Sequence, residues 1–268
     1  MDVIRAVESL GGVARYRELV GLGVSGAALS AAVGSGVVAK PARGVFALRD
    51  ADPSLLAARC AGAELACVSA AQRHGLWVLR RPGKVHISVN HGRRLPPEFR
   101  VHRFPGTPSL ADACVQSLRC LPQLDALCIV ESAVATDRVS LQELRGRLQG
   151  HRDGGARRTV ALINPMSQSI IETVARFHLL EAGLSVQTQV HRPGVGRLDL
   201  FVEGRLGVEV DGRSYHSGPE EFAEDRRRWN LLTVGGIRVL RVTYAMVVHH
   251  PEQFLALIRQ GLATVPAH

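Results

Sequence analysis

Residues 197–212, RLDLFVEGRLGVEVDG, decide how this chain folds. Read as a hairpin with Glu203-Gly204-Arg205 as the loop, they pair Val202 with Leu206 and set Asp199 opposite Glu209. In that register Leu198, Leu200 and Val202 share one face with Leu206, Val208 and Val210. Asp199 shares the other face with Glu209 and Asp211. A two-residue loop would oppose Asp199 to Val208 and mix the faces, so the period-two pattern favours the three-residue loop. Like charges directly opposite are unfavourable, so three carboxylates on one sheet face call for a cation or a basic partner.

The flanking sequence builds a domain around that hairpin. A helix opening at Asn164-Pro165 carries Ile170, Ile171, Val174, Phe177 and Leu180 and stops at Gly183. Ser169-x-x-Glu172 at its start has the spacing of a capping box. A strand follows over residues 184–190. Beyond the hairpin come a helix over 219–234, with Phe222, Trp229 and Leu232 as its apolar stripe, and a strand over 237–244. A terminal helix over 251–262 closes the order α-β-β-β-α-β-α, which predicts a mixed sheet flanked by helices.

Upstream, Gly150-His151-Arg152-Asp153-Gly154-Gly155 reads as a linker, which divides the chain into 1–50, 51–150, a connector at 151–160, and 161–268. Residues 2–48 read as three helices and a hairpin around Lys40-Pro41-Ala42-Arg43-Gly44, the order of a winged helix-turn-helix. The helix that would enter a major groove, VSGAALSAAVG, has no Arg, Lys, Asn or Gln to read bases; the hairpin has Lys40 and Arg43 for backbone phosphates. In the middle region, helices are expected over 55–71, 109–118, 122–136 and 140–148, and strands from His74, over 85–89 and over 99–104. His86, His91 and His102 lie among Arg93, Arg94, Arg100 and Arg103. That setting reads as a solvated basic strip able to meet phosphate rather than a metal site. The fold class is α/β in the broad, α+β sense.

Two stretches resemble known families. Residues 1–50, through Gly-x-Val-x-x-x-x-Leu and Arg-Gly-Val-Phe-Ala, are similar to the winged-helix domain of AbiEi-type antitoxins. The second resemblance rests on Ser169-x-x-Glu172, Leu198-Asp199-Leu200, Glu209-Val210-Asp211-Gly212, His216, Asp225-x-x-Arg228 and Gly236-x-x-Val239-Leu240-Arg241. This set resembles the "domain of unknown function 559" family, itself similar to the very-short-patch-repair (Vsr) endonucleases of the PD-(D/E)xK superfamily. The resemblance implies a Mg²⁺-dependent (or Mn²⁺-dependent) endonuclease with Asp199 and Glu209 as metal ligands and Glu172 beside them. Asp211 stands where that superfamily usually has a lysine, which leaves the lysine's role unassigned; by the resemblance to the patch-repair enzymes, which use a histidine near this point, His216 is the nearest local candidate. Arg228 and Arg241 would bind phosphate or fix the carboxylates. The alternative implied by the N-terminal resemblance is a regulator that binds DNA or a toxin partner through a degenerate nuclease fold, with Arg197, Arg228 and Arg241 neutralising the acids.

Composition is consistent with both. The chain has 268 residues, 46% hydrophobic and 21% charged, enough for more than one core and too apolar for disorder. Its formal net charge of +9 favours a polyanionic partner such as DNA. Lys40 and Lys84 are the only lysines, an arginine bias expected of a GC-rich bacterial genome. Cys60, Cys67, Cys114, Cys120 and Cys128 are scattered, without Cys-x-x-Cys, and read as buried free thiols in a reducing cytosol. No apolar run is long enough to span a membrane and no signal-peptide pattern opens the chain, so a cytoplasmic protein is expected.

Overall fold

In a computed structural model, which describes residues 2–192, 196–211, 227 and 230–264, the chain is mixed α/β with three small sheets. It forms two compact units, residues 1–76 with 80–120 and residues 77–79 with 121–268.

In the first unit, α1 (Val3–Ser9), α2 (Tyr16–Gly21) and α3 (Gly26–Gly34) appear as expected, α1 and α3 capped by Asp2 and Ser25. A short strand, β1 (Val13–Arg15), joins the hairpin of β2 (Ala39–Ala42) and β3 (Val45–Ala47) in a sheet of order β1-β3-β2. Lys40 thus lies within a strand rather than the turn, which shrinks to Arg43-Gly44 with Gly44 at φ +72°. Val3, Val7, Ala14, Leu19, Val24, Leu29 and Phe46 form the core beneath.

The expected helix over 55–71 is broken. α4 (Pro53–Cys60) ends at Gly62, in the left-handed region at φ +71°, and β4 (Glu64–Leu65) intervenes before α5 (Cys67–Arg73). The strand expected from His74 is absent: Gly75 (φ +69°) ends α5 and residues 77–78 carry no regular structure. β5 (Val85–Val89) pairs antiparallel with β4 and parallel with β6 (Phe99–Arg103). One face of this sheet packs Ile87, Val89 and Val101 on Ala58 and Ala63; α5 lies against β5 and packs on α6 (Leu110–Cys120). Glu64 accepts from Arg15 (2.6 Å) and Arg59 (2.8 Å), and Arg59 also pairs with Glu18 (3.1 Å). These ion pairs tie the first 50 residues to α4 and β4, within a single unit.

In the second unit come α7 (Gln123–Ala135) and α8 (Leu141–Arg147), the latter capped by Ser140. The expected connector is structured: a 3₁₀ turn over His151–Asp153 runs into α9 (Gly154–Ala161), with Asp153 buried and accepting from the Gly150 N–H. α10 (Ile170–Glu181) starts later than expected, since Asn164 makes a turn onto Met166 and Ser169 is the cap. β7 (Val186–Arg192), β8 (Gly196–Val202), β9 (Leu206–Asp211) and β10 (Arg238–Thr243) form a sheet of order β10-β9-β8-β7, with β10 parallel to β9. α11 (residues 230–234) precedes β10; α12 (Tyr244–His249), not foreseen, and α13 (Pro251–Ala263) come after it. Among the described residues no helix is long and apolar enough to cross a membrane.

Candidate active site on the C-terminal sheet

The hairpin takes the expected register over residues 200–208, but the expected Asp199–Glu209 pair is not part of the ladder. Val202 faces Leu206, Phe201 faces Gly207 and Leu200 faces Val208, across a loop where Glu203 (φ +52°) and Gly204 (φ +66°) are both left-handed. Leu200, Val202, Leu206 and Val208 pack with Ile171, Val174 and Leu179 of α10 and Phe254 of α13. The local alternation that predicts strands thus also positions α10, and with it Glu172, on the sheet.

The alternation fails in one place, at the level of Asp199. On β7 and β8, Thr188 pairs with Leu200 and Val190 with Leu198, the ladder skips the intervening Gln189 and Asp199, and Gln189 sits at φ +53°. This paired irregularity transfers Leu198 and Val190 to the opposite side, where they pack with Phe201, Leu232 and Val239. The expectation that Leu198 shares a face with Leu200 and Val202 is therefore corrected. Asp199 leaves the ladder with it: Oδ2 accepts a hydrogen bond from the Val210 N–H (3.0 Å), and its charge reaches Glu172.

Glu172 is buried at the start of α10. Only half of the expected capping box forms: Ser169 Oγ accepts from the Glu172 N–H (3.2 Å), while the Glu172 carboxylate accepts from Ser169 Oγ (2.9 Å) and the Gln168 N–H (3.1 Å) in place of the N-cap N–H. The same carboxylate also accepts from Gln189 Nε2 (2.8 Å), which extends it beyond a cap into the sheet. Burial pushes its pKa up, Asp199 adds to the rise, and the hydrogen bonds hold it back. Gln189 Oε1 is buried without a hydrogen-bond donor among the described residues, an oxygen ligand left over beside two carboxylates.

The remaining acids, Glu209 and Asp211, lie on β9. Glu209 is half-buried and lies opposite Arg241 of β10, whose Nη2 is 3.4 Å from Glu209 Oε2. Asp211 is half-buried opposite Thr243 at the end of β9. Among the described residues, Asp199, Glu172, Glu209 and Asp211 are not gathered into a cluster of three or more metal-ligating groups. Arg197 donates to Gln168 Oε1 (2.7 Å), so it braces the loop before α10. His216, Asp225 and Arg228 lie outside the described residues. In the first unit, Lys40 and Arg43 are exposed on the hairpin, with the Lys40 ammonium 6.0 Å from the Phe46 ring centre. Sequence reasoning missed Gln189; its signal was only a polar residue inside an otherwise alternating strand.

The basic-strip reading of the middle histidines is also corrected. His86 is buried and its ring meets that of His102, whereas His91 lies on the exposed loop and its carbonyl accepts from Arg103. Cys60 is exposed, contrary to expectation.

Comparison with known proteins agrees with the two resemblances. The chain is 28% identical over 166 residues to the Mycobacterium tuberculosis proteins "Uncharacterized protein MT2308" (strain CDC 1551 / Oshkosh) and "Uncharacterized protein Rv2248" (strain ATCC 25618 / H37Rv). The match covers 60% of this chain and 56% of each relative, so the chain spans about half the length of these relatives. Residues 172–262 match the restriction-endonuclease-like family model REase_MTES_1575, and residues 1–49 match the family "Transcriptional regulator, AbiEi antitoxin".

Proposed function

We propose that residues 161–268 are a metal-dependent endonuclease domain acting on DNA phosphodiester bonds, positioned by a winged-helix-like region at residues 1–50. The observation that carries this reading is the paired irregularity at Gln189 and Asp199. It takes an aspartate out of a sheet ladder, near a buried glutamate whose neighbour Gln189 keeps an oxygen without a donor among the described residues. Oxygen donors of this kind suit a hard cation. Asp199 and Glu209 would hold Mg²⁺ or Mn²⁺, with Glu172 and Gln189 Oε1 beside Asp199. The bound ion would supply water activation and charge stabilisation at the phosphate.

The chain's own residues then have distinct parts. Gln189 and Ser169 hold the Glu172 carboxylate in place. The Val210 N–H orients Asp199. Arg241 restrains Glu209 and would offer its cation to a scissile phosphate. His216 would take the proton from the attacking water, since Asp211 occupies the position of the usual lysine and cannot serve as a cation. The +9 charge, Arg228, and the exposed Lys40 and Arg43 would bind DNA. A cytoplasmic location goes with this reading.

Supercoiled plasmid with Mg²⁺ or Mn²⁺ tests it: the wild-type protein nicks, and Asp199→Ala reduces the rate by about 10²–10³-fold or more, the scale expected for loss of an essential electrostatic group. Equal nicking by both proteins sinks the proposal.

A second reading is favoured by one specific observation, the Arg241–Glu209 ion pair, which neutralises an acid the metal needs. Here the nuclease fold is a scaffold, and the chain acts as an antitoxin-like regulator binding operator DNA or a toxin. Under it Asp199→Ala and Glu209→Ala leave DNA or toxin binding unchanged and the wild type does not nick.

A further inference from the structure

Four side chains that the nuclease reading leaves unused converge in the first unit: Cys67, the first residue of α5; His86 on β5; His102 on β6; and Cys120, the last residue of α6. One ligand atom from each lies within 4.8 Å of all the others. We propose that these residues form a tetrahedral Cys₂His₂ site for a structural Zn²⁺ ion.

The geometry fits that ion. Zn–N bonds of ~2.0–2.1 Å and Zn–S bonds of ~2.3 Å give tetrahedral edges of about 3.4 Å between nitrogens and about 3.6 Å between nitrogen and sulfur. His86 Nδ1 and His102 Nε2 are 3.2 Å apart, and Cys120 Sγ is 4.0 Å from His86 Nδ1. Only small side-chain rotations separate this arrangement from a coordination shell. Two imidazole nitrogens at 3.2 Å can hydrogen-bond to each other only if one is protonated; a cation lets both direct lone pairs inward.

The scaffold delivers the ligands by register. His86 pairs with Arg100 and His102 with Ser88 across the parallel β5–β6 ladder, so the two rings project from one face at neighbouring positions. The opposite face is the apolar one that packs on Ala58 and Ala63. α5 and α6 each bring one thiol to the pair. Cys67 is held at φ +48°, uncommon for a residue with a side chain, with its N–H donating to Gln116 Oε1 of α6 (2.9 Å). Ser117 Oγ of the same helix reaches Cys67 Sγ (3.6 Å), and Ser69 Oγ accepts from the His86 N–H (2.9 Å). Polar groups around the ligands thus hold them in place.

The arginines nearby do not oppose a dication here. Arg100, Arg103 and Arg119 line a groove of about 500 Å³ that reaches His102 and Cys120. Two thiolates cancel the charge of Zn²⁺, so the closed site is neutral. Each ligating thiol gives its proton to solvent on binding. All four ligands come from the protein, which leaves no open position and marks the role as structural: it fastens α5 and α6 to a three-stranded sheet too small to be stable alone.

The full chain, purified from zinc-replete cells, is weighed by native mass spectrometry and, after metal removal under reductant, titrated with Co²⁺. One Zn²⁺ per chain is expected, and Co²⁺ should give thiolate-to-metal charge transfer with the intense visible bands of tetrahedral coordination. C67S and C120S should each lose the share of the charge-transfer band that its own thiolate supplies, H102Q should weaken Co²⁺ binding by at least about tenfold, and C60S should behave as wild type. A wild-type chain without zinc, a chain lighter by two hydrogens from a Cys67–Cys120 disulfide, or octahedral Co²⁺ without thiolate bands overturns the proposal. Because the wild-type stoichiometry and spectrum decide, misfolding of a variant does not rescue it. Nicking plays no part in the readout.

Discussion

Glu131 of α7 is fully buried and holds the helix that carries Glu172. Its carboxylate accepts from Arg176 Nη2 (2.5 Å), from the Thr173 hydroxyl (2.7 Å) and from the Asn164 N–H (2.7 Å). Glu131→Ala removes these acceptors together and leaves the Arg176 guanidinium, itself 5% exposed, without its counter-charge. Breaking a buried ion pair from one side costs about 3–5 kcal/mol, because the surviving charge stays desolvated. For a unit of this size, about 2–4 °C is lost per kcal/mol, so the midpoint of the transition involving residues 121–268 should fall by roughly 6–20 °C. Thermal unfolding followed by circular dichroism measures the shift, and equilibrium urea unfolding measures the free energy. Glu131→Leu with Arg176→Met should recover most of the loss, since removing both partners leaves no orphaned charge. A loss below about 1 kcal/mol for Glu131→Ala would refute the claim that this pair anchors α10.

Glu172 has a raised pKa in the folded state, so the fold binds a proton that the unfolded chain has released. Its stability term is present below the unfolded value of ~4.3 and is lost as pH rises through the folded value. Glu172→Gln should therefore be more stable than wild type at neutral pH and lose that advantage in acid, while nicking falls; pH-dependent urea midpoints and the plasmid assay check this. A Cβ at Gly207 would meet Val239 Cγ2 at 2.8 Å and Leu198 Cδ1 at 3.3 Å, so Gly207→Ala should destabilise by about 1–3 kcal/mol in thermal unfolding. A neutral Gly207→Ala would contradict the placement of Leu198 on that face. Lys40→Ala with Arg43→Ala should weaken DNA binding and lower the slope of log K against log[salt] by about 0.9 for each phosphate no longer neutralised. An unchanged slope would remove the hairpin from the DNA interface.

The sequence by itself determined the hairpin. Alternation over residues 200–208 leaves one register that buries its apolar residues, because slipping by one residue exposes them. It also determined the caps at Ser140 and Ser169, where a hydroxyl three residues before a glutamate satisfies helix N–H groups locally. The breaks at Gly62 and Gly75 were less legible, since glycine permits a left-handed turn without requiring one. The tertiary structure alone decided where alternation stops. The switch at Gln189 and Asp199 needs two strands to depart from the ladder together, and nothing within either strand signals it. It also decided the fate of the thiols and imidazoles. Cys67, His86, His102 and Cys120 come from two helix ends and two strands spread over residues 67–120, so no short spacing announces them. Local periodicity specifies elements because its physics acts between near neighbours. A site assembled from the ends of several elements becomes visible only once packing has set their distances.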